Sequence, residues 1–593
     1  MKRIKSKFTI VIIALASVSI IVACSKSFLE KAPLGSLDPG NLANSAGVQG
    51  LLIGAYSMLD GFGGQGGGWE SAGSNWVYGG VGSDDAYKGS DGGDQPDIIP
   101  IETYSENASD YYFNNKWRAV YDAVQRCNDV LRVMAQATDM TDADKKLVEA
   151  QARFLRAHYH FEAKKMWNNV PYVDETITYA AGNFNVPNNV DIWPNIEADF
   201  QFAADNLPET MPQVGRANKW VAKIYLAKAY MFQHKYSEAK SLLDDAIENG
   251  VTASGKKYAL VNFADNFNAE TKNSAEAVFS VQQSVNDNSN GANGGWGDVL
   301  NFPYNGGPGG CCGFYQPSQS LVNSYRVDPA TGLPYLDTWN DADVKNDEGL
   351  NSTDPFTPET GTLDARLDQT VGRRGIPYLD WGLHPGKDWI RDQTYGGPYA
   401  PRKNVYYKRQ QGSLTDNSFW TSGVTANNYT FIRFSDVLLW DAECEVEVGS
   451  LEKARQYVNL VRARAADPTG WVHTYVDNAD PSKGFTNTPA ANYKVGLYTV
   501  VWTDQVLARK AVQFERKIEL GMEGLRFFDL VRYGTAAAVL NADITKELSR
   551  PGTDFRPPFF VGASFKPSIN EYFPIPQAQI DLSQGTLTQN PGY

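Results

Sequence analysis

Apolar residues recur at helical spacing along much of the chain. Trp220, Ile224 and Met231 fall at positions i, i+4 and i+11, which is the pattern of an amphipathic helix. A second apolar stripe follows and ends at Gly250, a residue type that is common at helix C-termini. The two helices together form a hairpin of about 34 residues, the size of a tetratricopeptide repeat. Because such a hairpin cannot bury its apolar face alone, we expect several of them to stack.

The same pattern predicts helices on both sides of the middle of the chain. The helix from Thr141 starts with TDAD, and a threonine followed by acidic residues is typical of a helix N-terminus. The fold class is therefore predicted to be mainly α, with tetratricopeptide-like hairpins as the scaffold. The further predicted helices are 111–137 paired with 141–167, 435–448 paired with 451–465, and 503–520.

Helical periodicity fades between residues 252 and 427, where glycine, proline, asparagine and aromatic residues dominate. Such a composition is typical of loops. We therefore divide a single mature domain, 24–593, into N-terminal helical repeats (24–251), a large loop-rich insertion (252–427) and C-terminal repeat helices (428–593). Loops on a rigid scaffold are a common location for binding sites, so the insertion is expected to carry the ligand site.

Two loops combine glycine with aromatic residues. Residues 61–80 read GFGGQGGGWESAGSNWVYGG, and residues 291–315 read GANGGWGDVLNFPYNGGPGGCCGFY. A phosphate site would need a strand before the glycines, a helix N-terminus after them and, in a P-loop, a Gly-Lys-Ser/Thr ending; the first loop has none of these. Disordered tracts usually contain few aromatic residues, because aromatic side chains gain too much from burial. Both loops are therefore predicted to be ordered.

We interpret the two loops as the walls of a shallow sugar-binding site, because the C–H faces of sugars stack on aromatic rings. Asn75 and Asp298 are the expected hydrogen-bonding partners of sugar hydroxyl groups. For each aromatic residue, packing against the scaffold is an equally good alternative. The predicted stacking residues are Trp69, Trp76 and Tyr78 in the first loop and Trp296, Tyr304, Phe314 and Tyr315 in the second.

The N-terminus has the features of an export signal. Four basic residues precede or border an apolar run of about 15 residues at 8–22, which is short for a membrane span and typical of a signal peptide. The run ends in IVAC, which resembles a bacterial lipobox with Cys24 as the modified residue. We predict removal of residues 1–23 and lipidation of Cys24. An ordinary signal peptide with a chance cysteine is the alternative.

Four further cysteines occur in the mature chain. Cys127 and Cys444 fall in helical patterns and are predicted to be buried small hydrophobic residues. Cys311 and Cys312 are adjacent in the second glycine-aromatic loop, where a vicinal disulfide can form in an oxidising compartment. Whether the pair is bonded or reduced stays open at this point.

The chain is acidic, with a formal net charge of −14, and its basic residues form no patch. A nucleic-acid partner is therefore not expected. An acidic tract at 83–97 includes Asp84, Asp85, Asp91 and Asp94, whose oxygens suit calcium although their spacing is not that of an EF-hand. We favour a solvated loop here, with a structural calcium ion as the alternative, and predict no other metal or cofactor.

The C-terminal third contains a specific set of motifs. They are FIRFSDVLLWDAE at 431–443, NLVRARAAD at 459–467, FERKIELGMEGLRFFDLVRYG at 514–534, and YFPIPQAQI with the terminal QNPGY. This set resembles the SusD/RagB family of Bacteroidetes outer-membrane lipoproteins. SFLEKAPLG after Cys24 and DARLDQTVGRRG in the middle of the chain extend the resemblance over essentially the whole mature sequence.

The resemblance implies a single domain in which helical repeats support a ligand site built from inserted loops. It also implies a non-catalytic, lipid-anchored protein on the outer face of the outer membrane. Such a protein lies as a lid on a SusC-like TonB-dependent transporter and delivers captured glycans to it. Some family members capture peptides, so a RagB-like peptide-binding lipoprotein is the first alternative. A surface glycoside hydrolase is the second, since the sequence alone does not exclude a pair of catalytic carboxylates.

The charged residues of the motifs are interpreted as structural. Glu515 and Glu519 stand four positions apart on one predicted helix and would repel each other unless arginines pair with them. Partly buried arginine–carboxylate networks meet that need. The residues assigned to such networks are Arg433, Asp436, Glu443, Glu515, Glu519, Glu523, Arg526, Asp529 and Arg532.

Overall fold

The computed structural model describes residues 39–63, 67–416, 418, 420–550 and 558–593. The predicted signal peptide and Cys24 lie outside the described residues, so export and lipidation stay predictions. None of the helices in this part of the chain is long and apolar enough to cross a membrane. The helices of seven or more residues are α1 (Ser45–Tyr56), α2 (Tyr111–Gln136), α3 (Asp142–Trp167), α4 (Trp193–Asn206), α5 (Lys219–Met231), α6 (Tyr236–Asn249), α7 (Phe434–Val448), α8 (Leu451–Ala466), α9 (Gln505–Leu520), α10 (Arg526–Arg532) and α11 (Ala536–Ser549).

The long helices stack in chain order. Helix α2 packs on α3, α3 on α4, α4 on α5 and α5 on α6, and α6 continues the stack onto α7 of the second block. Side chains cap the helix starts: Thr141 Oγ1 accepts from the Asp144 amide at 3.2 Å, and Asn218 Oδ1 accepts from the Val221 amide at 2.9 Å. The predicted helix pairs and the mainly α scaffold of stacked hairpins are confirmed.

Between α6 and α7 the chain consists of loops, short strands and helical turns. No helix in the described part of this segment exceeds five residues. Strands of this segment form antiparallel pairs: β2 (Ala277–Ser280) with β6 (Thr430–Arg433), β4 (Val371–Gly372) with β5 (Ala400–Pro401), and β3 (Phe314–Pro317) with β1 (Ala86–Gly89), which precedes α2. A further pair, β7 (His473–Tyr475) with β8 (Phe485–Pro489), lies between α8 and α9. The pairing of β1 with β3 joins the segment after the first glycine-aromatic loop to the end of the second.

A buried network of charges ties the insertion to strand β6 and to helices α8 and α9. Arg366 bridges Glu515 and Glu519 at 2.6 and 3.1 Å, and Arg433 bridges Glu519 and Glu523 at 2.9 and 2.8 Å. The arginines thus neutralise the repulsion between the helical glutamates. The network balances five acids against five bases, which are Glu276, Asp364, Glu515, Glu519 and Glu523 against Arg366, Lys403, Arg433, Arg462 and Arg464.

A second network joins α7, α9 and α10, and a third joins α9 and α10 to the acidic tract. The pairs are Arg516 with Asp436 and Asp529, Arg532 with Glu443 and Asp529, and Arg526 and Lys517 with Asp84. Each of the nine charged motif residues therefore has an ionic partner inside the fold. The structural interpretation of these residues is confirmed.

Candidate functional site

Four of the predicted stacking residues lie in the core. Trp76, Tyr78, Phe314 and Tyr315 are at most 2 % exposed. The Trp76 ring packs against two of them, with centroid distances of 6.1 Å to Phe314 and 5.7 Å to Tyr315. Rings buried in this way have no free face for a sugar, so the stacking prediction is wrong for these four residues. These four residues instead pack against the scaffold, which is the alternative prediction for each aromatic residue.

The glycines beside these rings serve close packing. A Cβ on Gly79 would lie 1.8 Å from the carbonyl oxygen of Gly524, and one on Gly80 would lie 2.3 Å from the Tyr315 ring. No side chain fits at either position. Glycine therefore lets the first loop pack directly on the segment between α9 and α10 and on β3.

Asn75 and Asp298 hold the loops in place. Asn75 is 5 % exposed and donates from Nδ2 to Glu162 Oε2 at 2.9 Å. Asp298 Oδ1 accepts from Ser74 Oγ at 2.8 Å and from Asn301 Nδ2 at 3.2 Å, and burial raises the pKa of its carboxyl to about 6. Both side chains thus make hydrogen bonds within the protein. Asn75 is buried, so the structure corrects its assignment as a sugar ligand, whereas Asp298 is partly exposed and its assignment stays a prediction.

Trp69, Trp296 and Tyr304, in contrast, are partly exposed. Phe62, which the sequence analysis does not single out, stacks on Trp296 with a centroid distance of 4.5 Å and an interplanar angle of 6°. A Cβ on Gly68 would lie 3.6 Å from the Trp296 ring, so the two glycine-aromatic loops are in contact. We call Phe62, Trp69, Trp296 and Tyr304 the aromatic surface.

Gln95 connects Trp69 to the helical scaffold. Its Oε1 accepts from Trp69 Nε1 at 3.3 Å, from Tyr111 Oη at 3.1 Å and from Tyr112 Oη at 2.7 Å. Tyr111 and Tyr112 are the first two residues of α2. The Trp69 ring is therefore oriented by a hydrogen bond to a residue that the first repeat holds in position.

The acidic tract lies between Trp69 and Tyr304. Asp91 and Asp94 pair with Arg391 at 2.7 and 2.5 Å, and the guanidinium carbon of Arg391 lies 5.4 Å from the centroid of the Tyr304 ring. Lys88 Nζ donates to the carbonyl oxygens of Asp91 and Asp94 at 2.7 and 2.8 Å. A line of partly exposed aromatic and charged side chains thus runs from Trp69 to Tyr304.

Asp84, Asp91 and Asp94 of this tract pair with cationic side chains. Asp85 instead accepts from the Met522 amide at 3.3 Å. Asp84 and Asp85 are both 1 % exposed, so they do not lie in a solvated loop as expected. Within the described residues, the one group of three carboxylates close enough to share an ion is Asp244, Asp441 and Glu445, which includes none of the tract. Lys240 and Lys453 pair with members of that group. This arrangement adds no support to the calcium alternative.

Glu102 supports the acidic tract from the interior. Its Oε1 accepts from the Lys88 amide at 3.0 Å, and the side chain is 2 % exposed. Burial raises the pKa of this carboxyl from 4.5 to about 8. The carboxyl is therefore a group whose ionisation opposes folding.

We expect Glu102→Gln to stabilise the protein at alkaline pH. Because the folded-state pKa is raised, the carboxyl contributes stability that is present below pH 4.5 and lost as the pH rises through about 8. Glutamine keeps an acceptor for the Lys88 amide and carries no charge. The variant should gain on the order of 5 kcal/mol over the wild type at pH 9 and much less at pH 5, since the pKa rises from 4.5 to about 8 on folding. Urea denaturation at both pH values measures the difference, with the exposed Glu238→Gln as control; equal effects at the two pH values would contradict the assignment.

Cys311 and Cys312 form a disulfide in the second glycine-aromatic loop. The next residue is Gly313. Its amide donates to the Phe302 carbonyl at 2.9 Å, and the Gly313 carbonyl accepts from the Ser90 amide at 2.5 Å. The bonded pair therefore lies next to the acidic tract. Cys127 and Cys444 are buried free thiols, as predicted.

A model of the SusD family matches residues 275–593, which is more than half of the chain. A second model, described as starch-binding and associating with the outer membrane, matches residues 98–231. These matches support carbohydrate binding and association with the outer membrane.

The comparisons with individual proteins agree with the family models. SusD-like protein P25 of Formosa agariphila is 23 % identical over 580 residues, which cover 91 % of this chain and 93 % of the relative. A SusD homolog from Bacteroides thetaiotaomicron superposes with a TM-score of 0.66 at 22 % identity, covering 93 % of this chain and 97 % of that one. Surface glycan-binding protein A of the same species, solved in complex with laminarihexaose, gives a TM-score of 0.62 at 21 % identity, covering 92 % and 99 %. On the family match and this shared fold, the chain belongs to the SusD family.

Proposed function

We propose that this protein is a cell-surface lipoprotein that captures an oligosaccharide or polysaccharide and delivers it to a SusC-like TonB-dependent transporter in the outer membrane. The observation that carries the proposal is the aromatic surface, where two distant loops bring partly exposed rings together. Phe62 and Trp296 stack in parallel at 4.5 Å, and Trp69 is oriented beside them by Gln95. Family membership supports carbohydrate as the ligand class.

The surface combines the two kinds of contact that a sugar needs. The ring faces of the partly exposed aromatic residues suit the apolar C–H faces of pyranose rings. Gln95, Asp91, Asp94 and Arg391 lie between Trp69 and Tyr304 and carry hydrogen-bonding groups for hydroxyls. Because such an open surface desolvates few hydroxyls completely, we expect modest affinity for each sugar unit.

The role is proposed to be binding without catalysis. A glycosidase needs two carboxyl groups about 5 to 10 Å apart on either side of the bond that it cleaves. Several carboxylates at the aromatic surface are engaged within the protein. Asp91 and Asp94 pair with Arg391. Asp298 binds Ser74, and Asp60 accepts from the Phe62 amide. The motif glutamates likewise form ion pairs inside the scaffold. These engagements favour capture over hydrolysis.

The anchor and the transporter partner rest on the sequence. The lipobox-like end of the signal at Cys24 supports lipid attachment, and the family description supports the outer membrane. The outward orientation and the SusC-like partner are part of the proposal through the family resemblance. No nucleic-acid partner is proposed.

Isothermal titration of residues 25–593 against plant, fungal and host polysaccharides tests the function. We expect saturable binding to at least one glycan and no release of reducing ends during a long incubation. Release of reducing ends would favour the hydrolase alternative. A folded protein that binds no glycan but binds peptides would favour the RagB-like alternative, and one that binds neither would contradict capture by the isolated protein.

A further inference from the structure

A groove of about 650 Å³ lies beside the aromatic surface. Its lining comes from the C-terminal part of α1, from the loop 212–216 and from the segment 280–284, together with Asp60 and Asn293. Ile53 and Val214 in this lining are 56 % and 47 % exposed, so the groove presents apolar surface to solvent. The volume falls within the range of small-molecule sites, roughly 300 to 1,000 Å³.

Asp60 joins the groove to the aromatic surface. Its Oδ1 accepts from the Phe62 amide at 2.7 Å, and Phe62 is the residue that stacks on Trp296. The Asp60 carbonyl accepts from the Gly73 amide at 3.0 Å, and a Cβ on Gly297 would lie 3.6 Å from that carbonyl oxygen. Both glycine-aromatic loops therefore contact the residue at this end of the groove.

The groove has the chemistry of a sugar site. Leu59 and Val281 give it a buried apolar base. Planar polar side chains, Gln213, Arg216 and Gln282, lie along the same lining. A sugar ring is amphipathic in the same way, with apolar faces and hydroxyls around its edge. Arg216 donates to Gln213, and Gln282 and Asn273 bond each other, which holds these groups in place. An acyl chain would remove them from water and offer them no hydrogen bond, which costs free energy.

We propose that a glycan bound at the aromatic surface continues past Asp60 into this groove, where further sugar units bind. The inference rests on the proposed function, and it deepens that function by naming the ligand as a chain long enough to occupy both regions. We expect a disaccharide to bind at the aromatic surface alone. The contribution of the groove is therefore measurable only with longer chains.

The test compares short and long chains on variants of the groove. Laminaribiose and laminarihexaose are titrated into residues 25–593, together with two-unit and six-unit fragments of the polysaccharide that binds best in the panel described above. Val214→Arg fills the groove with a long side chain. Val190→Arg is the matched control, because Val190 is also an exposed valine, at 67 %, and lies on the loop between α3 and α4. Thermal denaturation confirms that each variant is folded.

We expect Val214→Arg to weaken binding of the six-unit chain about tenfold while leaving the two-unit chain within about twofold of wild type. Val190→Arg should match the wild type for both. Equal binding of the six-unit chain to Val214→Arg and wild type would overturn the inference while leaving the proposed function intact. Absence of binding to every glycan by the wild type would instead defeat the proposed function, and the inference with it.

Discussion

Replacing Arg433 with alanine should destabilise the protein by about 3 to 5 kcal/mol, because removing one partner of a buried ion pair leaves uncompensated charge in the interior. The Arg433 side chain is 1 % exposed and contacts Glu276 at 2.6 Å, Glu519 at 2.9 Å and Glu523 at 2.8 Å. Alanine leaves all three carboxylates without this cation. Urea denaturation at pH 7 measures the loss.

The pH dependence identifies the cause of this loss. The surrounding basic groups hold the pKa of Glu519 and Glu523 below the ordinary value. Carboxyls with depressed folded-state pKa values contribute stability that is present above the unfolded pKa, about 4.3, and lost as the pH falls below it. The difference between Arg433→Ala and wild type should therefore shrink as the pH is lowered below about 4.3.

Arg409→Ala is the matched control. Arg409 pairs with Glu270 at 2.7 Å, but its side chain is 51 % exposed, and exposed pairs contribute less than about 1 kcal/mol. A loss for Arg433→Ala no larger than that for Arg409→Ala would contradict the structural role of the network. If Arg433→Ala does not fold, Arg433→Lys should fold with an intermediate loss, because lysine keeps the charge and loses the forked geometry.

The helical scaffold was predictable because amphipathic helices carry their own periodic signal. The bounds agree closely: α2 ends at Gln136 against a predicted 137, and α9 begins at Gln505 against a predicted 503. Helix α4 is missing from the prediction although it has the same signal, since Ile196, Phe200 and Ala203 fall at i, i+4 and i+7 and are fully buried. Regular periodicity therefore determines most of this part of the fold.

The candidate site was predictable only in part. Glycine permits close approach either to a ligand or to the protein's own backbone, and the sequence of a loop does not distinguish the two. Trp76 and Tyr78 lie in the run WVYGGV, whose side chains are apolar throughout, and a continuous apolar run of this kind favours burial. Trp69 lies between glycine and glutamate, which is closer to a surface pattern. This difference between the neighbours of Trp69 and those of Trp76 and Tyr78 was the sequence signal that could have separated exposed from buried rings.

Other parts of the site depend on contacts between distant segments. Arg391 reaches Asp91 and Asp94 from 297 or more positions along the chain, and Ser74 binds Asp298 across 224 positions. Periodicity and spacing report on neighbours in sequence, so they contain no information about such pairs. The groove beside α1 was unpredictable for the same reason. Its lining comes from three segments that are distant in sequence, namely α1, the loop 212–216 and the segment 280–284.

Trp296→Ala should weaken glycan binding about 30-fold, which corresponds to about 2 kcal/mol, the size of effect typical of an aromatic hot spot. The Trp296 ring is partly exposed and stacks on Phe62, so its loss removes half of the stacked pair that the proposal places under the sugar. Titration calorimetry with the glycan found in the panel measures the change. Trp296→Phe should recover part of the affinity, because phenylalanine keeps a flat apolar face at this position.

The control for Trp296→Ala is Trp193→Ala, which removes another partly exposed tryptophan, at the start of α4 on the helical repeats. That variant should bind the glycan like the wild type. If both variants bind like the wild type and both are folded, the aromatic surface does not contact the glycan. Equal losses in the two variants would point to a general effect of removing a tryptophan from the fold. Only a loss confined to Trp296→Ala, with partial recovery in Trp296→Phe, supports stacking at the meeting point of the two loops.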